Sequence, residues 1–471
     1  MAISSAGIGS NLDVNTIVSQ LMAIEQKPLT TLNTKEAKFQ AQLSTYGTIK
    51  GALSSLQSAV QGLTSSSTYT SMSASVSDAT ILSASATSSA AVGSYSIAVS
   101  QLAMNHAVRS NVNYATEDTF KGGTLAIQIG GGTAVNVAIA DGSTLADISS
   151  AINSANVGVS ASVINDGTTN RLVLTSNTTG SVGAITISVT QTGTGGTPVS
   201  PGVVQNLNDF NTVGGSLVDL QAATNAQFSV NGLAITRSSN TVTDVIGGVT
   251  LNLTKAGTIA SPVTTNLTVS RNTGAVAGAI GAFVNAYNVA AKQLKSVSAY
   301  DATNKQASIL TGDSTVRNIQ SKLSSLLQTS LSGIAGGIRS LSDIGITLQK
   351  DGTLATDTTK LQAALNDPTQ DVASLFASTT SNNKGIAVRF NEMLDGIVGS
   401  SGLINGRTDG ISQSIKDIGN RRDVLSRRLV DIEARYRAQF TKLDTLISSM
   451  NQTSTFLTQQ LASISNTNKG A

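Results

Sequence analysis

The first and last segments of this 471-residue chain carry the same kind of apolar stripe, and the middle carries nothing like it. One stripe runs Ile17, Leu21, Ile24, Pro28, Leu32, Lys35, Phe39, Leu43, Tyr46, Leu53, Leu56, Val60, Leu63. The other runs Ile415, Ile418, Leu425, Leu429, Ile432, Tyr436, Phe440, Leu443, Ile447, Met450, Leu457, Leu461, Ile464, with Arg422 and Ser454 interrupting its seam. Steps of three and four put such side chains on one helix face, and sustained repetition argues for coiled coils or long bundle helices. Pro28 lacks an N–H and clashes with the preceding turn, so the first stripe divides into helices over about 13–27 and 29–63. Asp13 or Asn15 is placed to cap the first of them. A chain with two such ends is expected to bring its termini together and to hang its other domains between them.

Those other domains read as β. Residues 95–99 alternate with period two, as a half-buried strand does. Residues 125–129 and 135–139, joined across Gly130, Gly131 and Gly132, read as a hairpin. A short helix over 145–153 follows Ser143 or Thr144 as cap, and strands are expected at 157–164, 172–174, 185–189, 228–235, 249–253 and 267–269. Residues 193–201 read as a loop. Helices return at 274–297, 316–331, 371–376 and 385–398, ahead of the long C-terminal repeat. The fold class is therefore α+β and multidomain: a paired N- and C-terminal coiled-coil or helical-bundle stem with inserted, mainly-β outer domains. The expected division is 1–45 with 440–471 as a terminal coiled-coil leg and 46–72 with 272–439 as a helical stem. Residues 73–120 with 226–271 then form one β domain, and 121–225 an inserted outer one.

Composition narrows the chemistry. Charged residues are 12%, about half the usual share, and aromatics are 3%. With no Cys, there is no disulfide scaffold, thiolate metal site or Cys nucleophile. His106 is the only histidine, so no two-histidine metal site exists, and a satisfied structural role outweighs a catalytic one. The Gly-rich stretches at 130–132 and 193–196 lack the Gly-Lys-Ser/Thr of a phosphate loop and read as turns. Asp351 and Gly352 mark a tight turn without the alternating acids of a calcium loop. No cofactor, no metal and no active site is expected. Between Lys416 and Asp444 lie eight basic and five acidic residues, a surplus equal to the net charge of the whole chain, +3. That span reads either as a patch for an acidic partner or as the solvated face of a helix, and the interleaved acids favour the latter over nucleic acid. Residues 1–13 hold no Lys or Arg and no apolar core of signal-peptide length, and no apolar run approaches the ~20 residues of a membrane span. Neither membrane insertion nor a cleaved signal is expected.

Specific motifs then add a resemblance that covers nearly the whole chain. The opening Gly7-Ile8-Gly9-Ser10-Asn11-Leu12-Asp13-Val14, with Ile17 to Met22 and Glu25 to Leu29, resembles the start of the bacterial flagellar filament cap family, also called flagellar hook-associated protein 2. So do 93–103, 144–153 with Gly158 and Val159, 171–176, 228–253, 283–288, Leu310-Thr311-Gly312-Asp313, and 343–354. The block from Arg435-Tyr436-Arg437-Ala438-Gln439-Phe440 to Leu461 is the most distinctive. Asn11 departs from the family pattern, which has Gly there; Asn tolerates the left-handed conformation best after Gly.

The resemblance implies a ring-shaped homo-oligomer, pentamer-like, at the distal end of the growing filament, retaining exported flagellin and promoting its folding and polymerisation. It implies export without a cleaved signal peptide and a flagellar export chaperone at the C-terminal helix. It also implies leg helices that assemble through Ile17, Leu21, Ile24, Phe39 and Leu43 at one end of the chain. At the other end the corresponding residues are Tyr436, Phe440, Leu443, Ile447, Met450, Leu457 and Leu461. From the residues alone, a seam leucine such as Leu443 or Leu461 reads as ordinary intrachain core. Two alternatives stand beside the cap: another hook-associated or flagellin-like filament component, and a surface adhesin.

Overall fold

The structure is a computed structural model that describes residues 13–195, 201–334, 337–381 and 383–467. The opening turn at Gly7 to Asn11, the middle of the 193–201 loop and the last four residues lie outside the described residues. The chain divides into two compact units, one of residues 1–68 and 273–471, the other of residues 69–272.

In the first unit, helix α1 (Val14–Glu25) is capped by Asp13, whose carboxylate accepts the Thr16 N–H at 3.0 Å. It ends where Pro28 removes a donor, and α2 (Lys27–Thr64) restarts with that proline in its first turn, the position proline tolerates. The chain then passes through a single turn, α3 (Ser66–Thr70), into the second unit.

Strands β1 (Met72–Val76), β2 (Leu82–Ala86), β3 (Gly93–Gln101), β4 (Asn105–Ser110), β5 (Thr119–Phe120), β6 (Gly123–Ile129) and β7 (Val135–Ile139) come first. Helix α4 (Leu145–Ser154) follows, closed by a reciprocal box in which Thr144 and Asp147 bond each other's backbone. Then come β8 (Val159–Asn165), β9 (Asn170–Thr179), β10 (Ile185–Gln191), β11 (Val204–Gln205) and β12 (Leu217–Gln221). The last are β13 (Ala226–Val230), β14 (Leu233–Arg237), β15 (Thr241–Val242), β16 (Val249–Leu253) and β17 (Val263–Arg271).

These strands make two cores. A sheet ordered β1-β17-β3-β13-β14 and a smaller one ordered β15-β16-β2 enclose Ile97, Val99, Phe228, Leu251, Leu267 and Val269. Sheets ordered β12-β4-β9-β8 and β10-β6-β7, with α4, enclose a second core. At its centre Tyr114, Phe120 and Phe210 stack with centroids 4.9, 5.3 and 6.0 Å apart. Two expectations are corrected here. The domain boundary expected at 120/121 falls inside the second core, because β4 joins β9 and β12, and Val108, Tyr114 and Phe120 pack with that core. Residues 228–235 are not one strand but the hairpin β13–β14. Asn231 (φ 49°) and Gly232 (φ 83°) both take the positive φ of a tight hairpin turn, and Asn-Gly is the dipeptide that does so most readily.

His106 sits in β4 and is nine-tenths buried. Its Nδ1 accepts the Ile185 N–H of β10 at 2.8 Å, and its Nε2 faces Asp219 of β12 at 3.1 Å. The ring thus links two sheets.

The chain returns to the first unit in α5 (Thr273–Ser298) and α6 (Ser314–Leu327), which are separated by the small hairpin β18 (Tyr300–Asp301) and β19 (Gln306–Ala307). A second hairpin, β20 (Ile346–Leu348) and β21 (Leu354–Thr356), precedes α7 (Thr358–Asn366), α8 (Val372–Ala377), α9 (Ile386–Val398) and α10 (Leu403–Thr467). By length and composition α5 is apolar enough to cross a membrane, unlike what the sequence reading expected of any segment. Eight of its side chains, Ile280, Phe283, Tyr287 and Leu294 among them, are buried, as in a core helix. Phe283 meets Phe390 of α9 edge-on at 5.5 Å. Tyr46, Ile49, Leu53, Leu56, Val60 and Leu63 of α2 are also fully buried. At 65 residues, α10 extends about 100 Å at 1.5 Å per residue.

Candidate assembly surface of the terminal helices

Cross-helix contacts fix how the two ends of the chain meet. Arg437 donates to Asn15 Oδ1 (3.0 Å), the Tyr436 hydroxyl to Glu25 (3.1 Å), Arg422 to Glu36 (2.7 Å), and Lys50 Nζ to Asn405 (2.7 Å). As one number rises from 15 to 50 its partner falls from 437 to 405, so α1 and α2 run antiparallel to α10. The Glu25 carboxylate beside it raises the Tyr436 hydroxyl above its ordinary value. Nearer the unit's core, the Asp313 carboxylate caps α6 through the Thr315 and Val316 N–H groups and holds Arg407 of α10 at 3.2 Å. Burial opposes ionisation of Asp313, but these donors and the nearby Tyr46 hydroxyl outweigh it and keep the carboxyl below 3.8. The Tyr46 hydroxyl is fully buried and has no partner at hydrogen-bonding geometry among the described residues. Burial first, and Asp313 second, push it upward.

The apolar contact between the ends is small. Val14, Val18 and Met22 of α1 are buried against Leu429 and Ile432 of α10, with Leu29, Leu425, Tyr436 and Phe440 packed around them. The face of α1 turned to α10 thus lies beside the expected Ile17, Leu21, Ile24 stripe. Ile17 and Leu21 are only half-buried, and Ile24 is 61% exposed. At about 100° per residue, Ile24, Ile17, Leu21, Val14, Val18 and Met22 follow one another across an arc of roughly 160°. A single neighbouring helix cannot cover so wide an arc, and α10 covers the side centred on Val18. The i, i+4 run Val14-Val18-Met22 was the signal that sequence reasoning passed over.

The other expected assembly residues are placed as follows. Phe39 and Leu43 of α2 are half-buried, as are Tyr436, Phe440 and Ile447 of α10. Leu443, Met450, Leu457 and Leu461 are exposed, the last at 67%, and Leu446 and Phe456 join them. Beyond Phe440, α10 therefore carries an apolar stripe that the described residues leave uncovered, so the reading of Leu443 or Leu461 as intrachain core does not hold in the single subunit. The side chain of Ile464 lies outside the described residues. Among the described residues no group of three His, Cys, Asp or Glu is placed to hold a metal.

Antiparallel terminal helices with a β unit inserted between them in the chain, and an apolar stripe uncovered by the described residues, are features of a subunit built for assembly. Comparison with known proteins makes the class specific. Residues 10–106 match the flagellar hook-associated protein 2 N-terminus, residues 223–452 its C-terminus, and residues 124–178 the flagellin hook IN motif. Flagellar hook-associated protein 2 of Escherichia coli (strain K12) is 34% identical over 99% of both chains. That of Salmonella typhimurium is 32% identical over 98% of this chain and 99% of its own. The crystal structure of the flagellar cap protein FliD D1-D2-D3 domains from Escherichia coli superposes with a TM-score of 0.60 at 32% identity, over 78% of this chain and 99% of that one. This chain belongs to the flagellar hook-associated protein 2 family, the flagellar filament cap proteins.

Proposed function

We propose that the chain works as the structural cap at the distal tip of the growing flagellar filament, outside the cell. There it retains exported flagellin and promotes its folding and polymerisation. The observation that carries the leg mechanism is the uncovered stripe Leu443, Leu446, Met450, Leu457 and Leu461, which continues the seam already used by Leu429 and Ile432. Each of these side chains is 40–67% exposed, so covering one contributes roughly 1 kcal/mol. Contacts of that size are strong in sum and weak singly. They suit legs that are displaced and re-dock as each flagellin adds.

The leg is residues 1–45 with 440–471. Full burial in α2 begins only at Tyr46, and among the described residues no apolar side chain of α10 past Phe440 is fully buried, which supports that division. The uncovered face of α1, with Ile17, Leu21 and Ile24, adds to the leg surface. In the assembled cap these faces meet flagellin and further copies of the chain in a ring. Before export, a flagellar chaperone covers the C-terminal part of α10. In this reading the chain leaves the cell by the flagellar export route. Deleting the gene and comparing flagellin in the medium with flagellin on the cells tests the reading. Monomeric flagellin accumulating in the medium, and its recovery into filaments on adding purified protein, is the expected result. Unchanged filaments without leakage reject it.

A further inference from the structure

We propose that a groove between α2 and α10 seats an acidic amphipathic helix of the filament subunit being capped. The groove, of about 540 Å³, has an apolar floor of Leu32, Phe39 and Ile418. Its lining falls at 32, 35, 38, 39 and 42 on α2 and at 407, 414, 417, 418 and 421 on α10. The run 32, 35, 39, 42 steps by three and four, and the run 407, 414, 418, 421 by seven, four and three, so each helix turns one face to the groove. Two paired helices that turn such stripes toward one space form an incomplete three-helix bundle. The α10 side is about 21 Å long at 1.5 Å per residue, enough for roughly 14 residues of a third helix.

Charge decides what that helix must be. Arg407 is engaged by Asp313, Asp417 accepts from Gln413 at 3.0 Å, and Glu36 of α2 is engaged by Arg422. Lys35, Lys38 and Arg421 line the groove and take part in no ion pair among the described residues. Against the single carboxylate of Asp417, these three cations leave the groove with a positive surplus over an apolar floor, which fits carboxylates that flank an apolar ridge. A second copy of this chain does not supply such a ridge. No described helix here places three carboxylates at successive steps of three, four or seven; α1 has Glu25 alone and α2 Glu36 alone. The occupant therefore belongs to another protein. That it is the filament subunit rests on the cap reading; the chemistry of the groove does not.

The test uses the full chain and a synthetic heptad peptide of Leu, Ala and Glu, about 28 residues long so that it holds a helix, with its Gln-for-Glu twin. The Glu peptide is expected to bind about tenfold more tightly than the twin at ~50 mM salt, equivalent to ~1.4 kcal/mol. The preference should fade at ~500 mM and vanish in a folded Lys35→Glu/Lys38→Glu/Arg421→Glu variant. Equal binding of the twins, or unchanged binding by the variant, overturns the proposal. In cells, the variant should leak flagellin as a gene deletion does. A variant that caps normally while the deletion leaks overturns the groove and leaves the cap reading standing. A deletion that does not leak overturns the cap reading and, with it, the partner named here. A photo-crosslinker in place of Phe39 that joins two copies of this chain overturns the choice of occupant.

Discussion

Replacing Ile432 with alanine should release α1 and leave the rest of the helical unit intact. Ile432 is 7% exposed and is one of five buried residues among those described in the contact between the chain ends. Isoleucine-to-alanine changes in cores cost about 2–5 kcal/mol, and a small cluster at the surface collapses more readily, so about 2 kcal/mol applies. The helix it holds has 12 residues, a length that is marginal in water without packing. The polar ties from Asn15 and Glu25 are exposed or half-exposed and add little. A loss of about 2 kcal/mol in one local opening speeds amide exchange roughly 30-fold in that segment. Hydrogen exchange on the full chain should show this acceleration across α1, with α5 unchanged, because α5 is buried against other side chains. Leu446→Ala serves as the control; its side chain is 57% exposed and its loss should change neither segment. Unaltered protection in α1 would refute the view that this contact holds it. A parallel rise in α5 would refute the view that α1 opens independently.

Three further outcomes follow from the same geometry. The Asp313 carboxyl is held below 3.8 in the folded chain, so its contribution is present above that value and is lost as pH falls through the lower folded value. Urea unfolding should therefore show the stability gap between the wild type and Asp313→Asn narrowing below about pH 4; a gap that widens there would contradict the assignment. His106→Phe leaves the buried Ile185 N–H without its acceptor and should destabilise the β unit by about 1–3 kcal/mol, read by calorimetry, with an unchanged transition contradicting it. Gly232→Val forces a β-branched residue to φ 83° and should destabilise the β13–β14 hairpin by 1 kcal/mol or more, again read by thermal unfolding.

The architecture was legible because its signals are periodic and local. The three/four steps foretold α2 and α10, Pro28 foretold the break, and Ser143 and Thr144 ahead of the apolar run marked the cap of α4, which the structure assigns to Thr144. What failed was whatever depends on a neighbour. Alternation alone ran β13 and β14 together, although Asn231-Gly232 stood between them. The inner and outer β cores divide at β4 because Val108 faces Leu172 and Leu174, a pairing across more than sixty residues that no local pattern records. On α1 six apolar residues share one broad arc, so periodicity names the arc but not the side that α10 takes. Motif resemblance identified the family, while the groove lined by Lys35, Lys38 and Arg421 required two distant helices to be seen together.

The central claim is that the uncovered stripe of α10 does the capping. Purified full chain, either wild type or with Leu446, Met450 and Leu457 replaced by Ser, should be added to cells lacking the gene, and cell-attached flagellin quantified. All three side chains are exposed, 54–62%, so the variant should fold with the wild-type thermal transition. The account predicts that wild type returns flagellin from the medium to filaments and that the variant leaves it in the medium. Full recovery with the variant would contradict it.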